Sequence, residues 1–221
     1  MIYIFACAYL AICLLLYLVA HQSLQQVYRL LHRLTHSDHT AKVLISVWYL
    51  VGTFIHELSH FLVALLLGHT VKSFSILPEF EHGGIKLGSV VYYKKDRFRS
   101  ILVGIAPVFG GTLVAYGLYL VLIAYSASWW ISLILLYSLF VILTNMFSSS
   151  QDLQDVIYLI PMSILIVIIG YIVGVDLAWF ASTDVAALLT SFFTSMTLIG
   201  TGALLIHICI WLGLRYKTRR G

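Results

Sequence analysis

The feature that most constrains this chain is a series of apolar runs, at about 2–20, 43–68, 100–125, 129–147, 156–174 and 187–214, with almost no charge inside them. Roughly 20 apolar residues in a helix cross the hydrocarbon core of a bilayer, where every backbone N–H and C=O must be paired within the chain. Unbroken runs meet that demand as helices; a barrel would alternate apolar and polar residues instead. Charged residues make up 10% of the chain against 61% hydrophobic, too little polar surface to coat a water-soluble globule. The expected fold is an all-α membrane protein of about six transmembrane helices. It forms a single polytopic domain over 1–221, with the lipid bilayer as its solvent.

The first run, 2–20, lacks a basic leader and is longer than the roughly 7–15 residues of a signal-peptide core, so it reads as a retained anchor. Cys7, Cys13 and Cys209 lie inside apolar runs, which argues for free thiols and against a disulfide framework. Of the 13 Lys and Arg, six lie between 69 and 99 and four at 215–220. Alternate crossing gathers those ten on one face and leaves Arg29, Arg33 and Lys42 on the other. The positive-inside rule then predicts a multi-pass protein with both termini and the 69–99 loop cytoplasmic. The basic residues speak to topology, and nucleic acid is not an expected partner.

Two polar stretches interrupt the runs. Over about 22–40, Leu24, Val27, Leu31 and Leu34 recur at helical spacing among Arg29, Arg33 and four histidines, the pattern of an interfacial amphipathic helix. His21, His32, His36 and His39 read as its solvated face rather than as a metal tract. Over about 71–93, Pro78, Gly83, Gly84 and Gly88 punctuate short β-prone pieces, which predicts a small hairpin or sheet at the cytoplasmic membrane surface.

Within 43–68 stands His56-Glu57-Leu58-Ser59-His60, which contains one of only three glutamates in the chain. Residues four apart share a helix face, so both imidazoles can reach one metal ion. Glu57 lies about 100° around the helix from His56, beside such a metal without being a ligand. Zinc lowers the pKa of a bound water to about 7, and an adjacent carboxylate can take its proton as it attacks a carbonyl. An unsatisfied carboxylate at bilayer depth costs about 2.5 kcal/mol or more, so three ionisable residues in little more than one turn point to function. The bland alternative is a polar knot of His and Glu bonded to neighbouring helices.

A catalytic zinc takes three protein ligands and keeps one position open. Acidic candidates on the same face of the membrane are Glu79, Glu81, Asp96, Asp152 and Asp155, whereas Asp176 and Asp184 fall on the opposite side. Asp152 and Asp155 also suit a helix N-terminus, where acids favour the macrodipole. His69 and His82 are further possible ligands that read more simply as surface histidines.

These residues resemble the site-2 protease family of intramembrane zinc metalloproteases. The likeness rests on the helix-embedded His56–His60 motif, the β-rich segment 71–93 and the small-residue stretch Gly104-Ile105-Ala106-Pro107-Val108-Phe109-Gly110-Gly111. It also rests on Asn145 followed by Asp152, and together these cover a motif core of about 43–165. The resemblance implies His56, His60 and Asp152 as zinc ligands and Glu57 as general base. It further implies that Asn145 positions the substrate or polarises its carbonyl, and that the substrate is a membrane protein cut in or near a transmembrane segment. The chain departs from the family's best-known pattern. Ser148 stands where a Pro follows the Asn, Asp152 comes one residue early, and Leu153 follows it, so Asp155 stays open as the substitute ligand. Two rivals from other classes are a metal or proton transporter built on the buried His and Glu, and an inactive relative serving as a membrane chaperone.

Overall fold

A computed structural model describes residues 2–76, 79–81, 84–86, 88–125, 128–146, 165, 168–174 and 183–220. The chain is mostly helical: α1 (Ile2–Thr35), α2 (Asp38–Leu66), α3 (Arg97–Ala124), α4 (Trp129–Asn145) and α5 (Thr183–Arg220). Four short strands lie between α2 and α3: β1 (Thr70–Ser75), β2 (Glu79–Glu81), β3 (Gly84–Lys86) and β4 (Ser89–Tyr93). Helices α1, α2, α3 and α5 are long and apolar enough to cross a membrane, while α4 is apolar but only 17 residues long. Large apolar side chains such as Leu10, Leu113, Phe109 and Leu198 are exposed along the helices, as expected where lipid is the solvent. The expected span 156–174 lies largely outside the described residues, of which 168–173 are helical.

The run 2–20 and the polar stretch after it form one helix of 34 residues rather than an anchor and a separate interfacial helix. No Gly or Pro between Val19 and Gln26 breaks the ladder, and α1 reaches about 50 Å, well beyond a bilayer core. It stops at a corner where His36 adopts φ 52° and the Ser37 hydroxyl caps α2 by accepting from the Thr40 N–H at 3.2 Å. Leu24, Tyr28 and Leu31 pack on Ile45, Tyr49 and Val141, while His21, His32, His36 and His39 are exposed.

The β-rich segment is two nested antiparallel pairs, β1 with β4 and β2 with β3. Lys72 bulges out of the outer pair, between Val71 opposite Tyr92 and Ser73 opposite Val91. His69 is buried beneath this sheet, its Nδ1 3.1 Å from the Tyr93 carbonyl, and is not the surface histidine expected. Arg99 donates to the Leu67 carbonyl at 3.0 Å, closing the end of α2.

Helix directions follow from the contacts. Along α1 and α5, Tyr9 meets Phe193, Ile12 meets Gly200 and Ser23 meets His207, so the two run parallel. Along α2 and α4, Trp48 meets Tyr137 and Gly52 meets Val141 and Asn145, again parallel. Against α3, α2 is antiparallel, with His60 near Val103 and Leu67 near Arg99. Six alternating spans would have made α5 antiparallel to α1 and brought both termini to one face. Instead, among the described residues, α4 ends and α5 begins at the hairpin end of the bundle, where α1 also begins. The ten-to-three charge division goes with the alternation that produced it. Six basic residues (Lys72 to Arg99) fall at the hairpin end, and the other seven lie toward the far end, along α1, α2 and α5.

Where α1, α4 and α5 meet, His207 is fully buried between two hydroxyls. Its Nδ1 is 2.6 Å from Ser23 Oγ, its Nε2 is 3.0 Å from Thr144 Oγ1, and its ring stacks on Phe140. Tyr9, Cys13, Leu16, Leu139, Ile142, Met146 and Met196 form the apolar core around this junction.

Candidate metal centre

Helix α2 carries the His-Glu motif on the face turned into the bundle. His56 and Glu57 are buried and His60 is half-buried. The two imidazoles meet through their Nε2 atoms at 3.2 Å, with ring planes at 85°. Nitrogens each about 2.0–2.1 Å from a tetrahedral zinc lie roughly 3.3–3.4 Å apart, close to the spacing of this pair.

His60 is held by a second bond. Its Nδ1 lies 2.8 Å from the Val103 carbonyl oxygen on α3. A carbonyl only accepts, so Nδ1 carries the proton and the neutral ring keeps its lone pair on Nε2. For both Nε2 lone pairs to reach one ion, His56 would likewise have to carry its proton on Nδ1.

Three elements wall this stretch of α2. Helix α4 comes closest at Gly52, where a Cβ would lie 2.3 Å from the Val141 carbonyl oxygen and 2.4 Å from Asn145 Nδ2. Helix α3 abuts Ser59 through Gly110, whose Cβ would lie 2.3 Å from Ser59 Oγ. On the third side Gly88, just before β4, rests on the general-base candidate, where a Cβ would lie 2.7 Å from Glu57 Cγ and 3.0 Å from Thr53 Cγ2. The absence of a side chain at 52, 88 and 110 is what lets backbone approach the motif so closely.

Asn145, at the end of α4, is buried and donates through Nδ2 to the Tyr49 carbonyl at 3.3 Å. Its contact at Gly52 puts it one turn of α2 from His56. Thr53 pairs with this arrangement. Ser46, Ser59, Thr112 and Thr144 each donate to the carbonyl four residues back, but the carbonyl that would serve Thr53 is Tyr49, which Asn145 already engages. The buried Thr53 hydroxyl has no hydrogen-bond partner among the described residues.

The structure thus brings His56, Glu57, His60 and Asn145 to one face of α2. Asp152 and Asp155 lie outside the described residues, as does His82. Asp96 is occupied as the α3 cap, accepting from the Arg99 N–H at 2.8 Å and pairing with its guanidinium at 3.1 Å. Among the described residues no three His, Cys, Asp or Glu side chains converge on one point. Sequence reasoning missed Thr53, the Val103 carbonyl and the buried His207. An ionisable residue in the middle of the last apolar run was the available signal for His207. No family model, curated protein or solved structure matches this chain.

Proposed function

We propose that this protein is a zinc-dependent intramembrane endopeptidase that hydrolyses a peptide bond in or beside a transmembrane segment of a membrane-protein substrate. The observation that carries the reading is the 3.2 Å approach of the His56 and His60 Nε2 atoms, with the Glu57 carboxylate buried beside them in an apolar helix. His56, His60 and Asp152 would hold the ion, with Asp155 as the substitute for the third ligand. When bound, zinc supplies Lewis acidity that polarises the scissile carbonyl and acidifies the attacking water.

The chain's own residues do the rest. Glu57 accepts a proton from the attacking water and returns it to the departing amine. Asn145 has one amide hydrogen on the Tyr49 carbonyl and a second for a substrate carbonyl. A helical substrate hides its backbone and must be extended to be cut. In a two-stranded sheet β4 has one edge not paired with β1, and it begins against Glu57, so an unwound segment added to that edge is led to the site.

Purified protein is expected to carry one zinc per chain, and none in the His56→Ala/His60→Ala double variant, by metal analysis. Cleavage of a transmembrane model peptide in vesicles should stop on chelation and resume on adding zinc. Zinc flux across sealed vesicles without cleavage would favour the transporter, and zinc retention with neither would favour an inactive relative.

A further inference from the structure

Val103 and Pro107 stand four residues apart in α3, the spacing at which a helix bonds the carbonyl of the first to the N–H of the second. Pro107 has no N–H, and a proline ring pushes aside the carbonyl four residues back. That carbonyl is the one that meets His60 Nδ1 at 2.8 Å. Pro107 is itself among the most fully buried side chains, so it faces the bundle rather than the lipid.

We propose that Pro107 is a positioning residue for the metal site: it keeps the Val103 carbonyl free and turned toward α2, so that His60 is locked with its proton on Nδ1 and its Nε2 lone pair facing His56. The inference deepens the zinc reading and rests on it for its purpose. Partners that fix the tautomer of a metal-bound histidine are worth about 10- to 100-fold in metal affinity. With an N–H restored at position 107, the Val103 carbonyl regains a helical donor, and His60 must share that acceptor.

The test uses the full chain in detergent. Pro107→Ala should bind zinc about 10-fold more weakly than wild type, measured by competition with a chromophoric chelator. In the metal-free protein with ¹⁵N-labelled histidine, the His60 ring of wild type should show a single form protonated on Nδ1. Pro107→Ala should show a mixture, with His60 assigned by comparison with His60→Gln. Ala is the better helix former, which offsets part of the packing lost with the buried Pro107 ring, and a denaturation curve of each variant reports the remainder. Ala106→Pro/Pro107→Ala keeps a proline in α3 but frees the Leu102 carbonyl, about 100° around the helix, and should bind zinc as weakly as Pro107→Ala.

Two outcomes overturn the proposal. One is a Pro107→Ala protein with zinc affinity within about twofold of wild type and unchanged ring signals. The other is recovery of wild-type affinity in the shifted-proline variant, which would make the bend in α3 the relevant feature. If wild type binds no zinc, the endopeptidase reading fails, and the ring signals of the metal-free protein still decide this one.

Discussion

Glu57→Gln is expected to leave zinc content unchanged and to lower cleavage about 10²- to 10⁴-fold, the usual weight of a general acid–base residue. Gln matches the shape of Glu and fits beneath Gly88, so the contacts of Glu57 with the hairpin survive. What is lost is the group that accepts the proton. Because Glu57 lies beside the imidazole pair and is not a ligand in this reading, metal analysis and cleavage should separate cleanly. A variant that cleaves at the wild-type rate would sink the mechanism, and one that loses zinc would make Glu57 a ligand.

The second large effect lies on the α2–α4 interface. Gly52→Ala places a methyl 2.3 Å from the Val141 carbonyl oxygen and 2.4 Å from Asn145 Nδ2. Backbone at that distance cannot rotate away, so α4 must shift as a body. Overpacking of this kind costs about 1–3 kcal/mol. The shift would also carry Asn145 away from Tyr49, so cleavage should fall along with the midpoint of a denaturation curve. The control is Gly117→Ala in α3, where nothing lies within 4 Å. There the better helix former should be neutral or gain up to about 1 kcal/mol. Equal behaviour of the two variants would remove the close approach as an explanation.

The parts of this architecture that were legible in the sequence are those set by local chemistry. Apolar runs predict helices because lipid allows the backbone few alternatives, and four of the six runs fall in helices long enough to cross a bilayer. The His56–His60 pairing follows from helical spacing alone. The glycine-punctuated stretch before Arg97 predicts the hairpin.

What was illegible depends on partners remote in the chain. The parallel run of α1 and α5 is decided by contacts such as Ser23 with His207, and a charge count that presumes alternation cannot see it. Gly88 looks like an ordinary turn residue until the hairpin folds onto Glu57. Pro107 reads as a helix interruption, and its effect on His60 emerges only when α3 lies beside α2.

The parallel pairing of the first and last helices sets an order of assembly. Tyr9 finds Phe193, and Ser23 finds His207, only after nearly the whole chain has been made. At about 5–20 residues per second, α1 waits roughly 10–40 s for its main partner. During that interval the face of α1 that carries Tyr9, Ile12 and Ser23 lacks the helix that covers it and is open to lipid or to an insertion factor. A ribosome-arrested chain ending before Thr183, carrying Cys7→Ser, should react with a membrane-permeant thiol reagent at Cys13. The finished chain with Cys7 and Cys209 both replaced by Ser, its Cys13 buried between helices, should resist it. Equal labelling of the two would mean that α1 is sheltered before α5 exists.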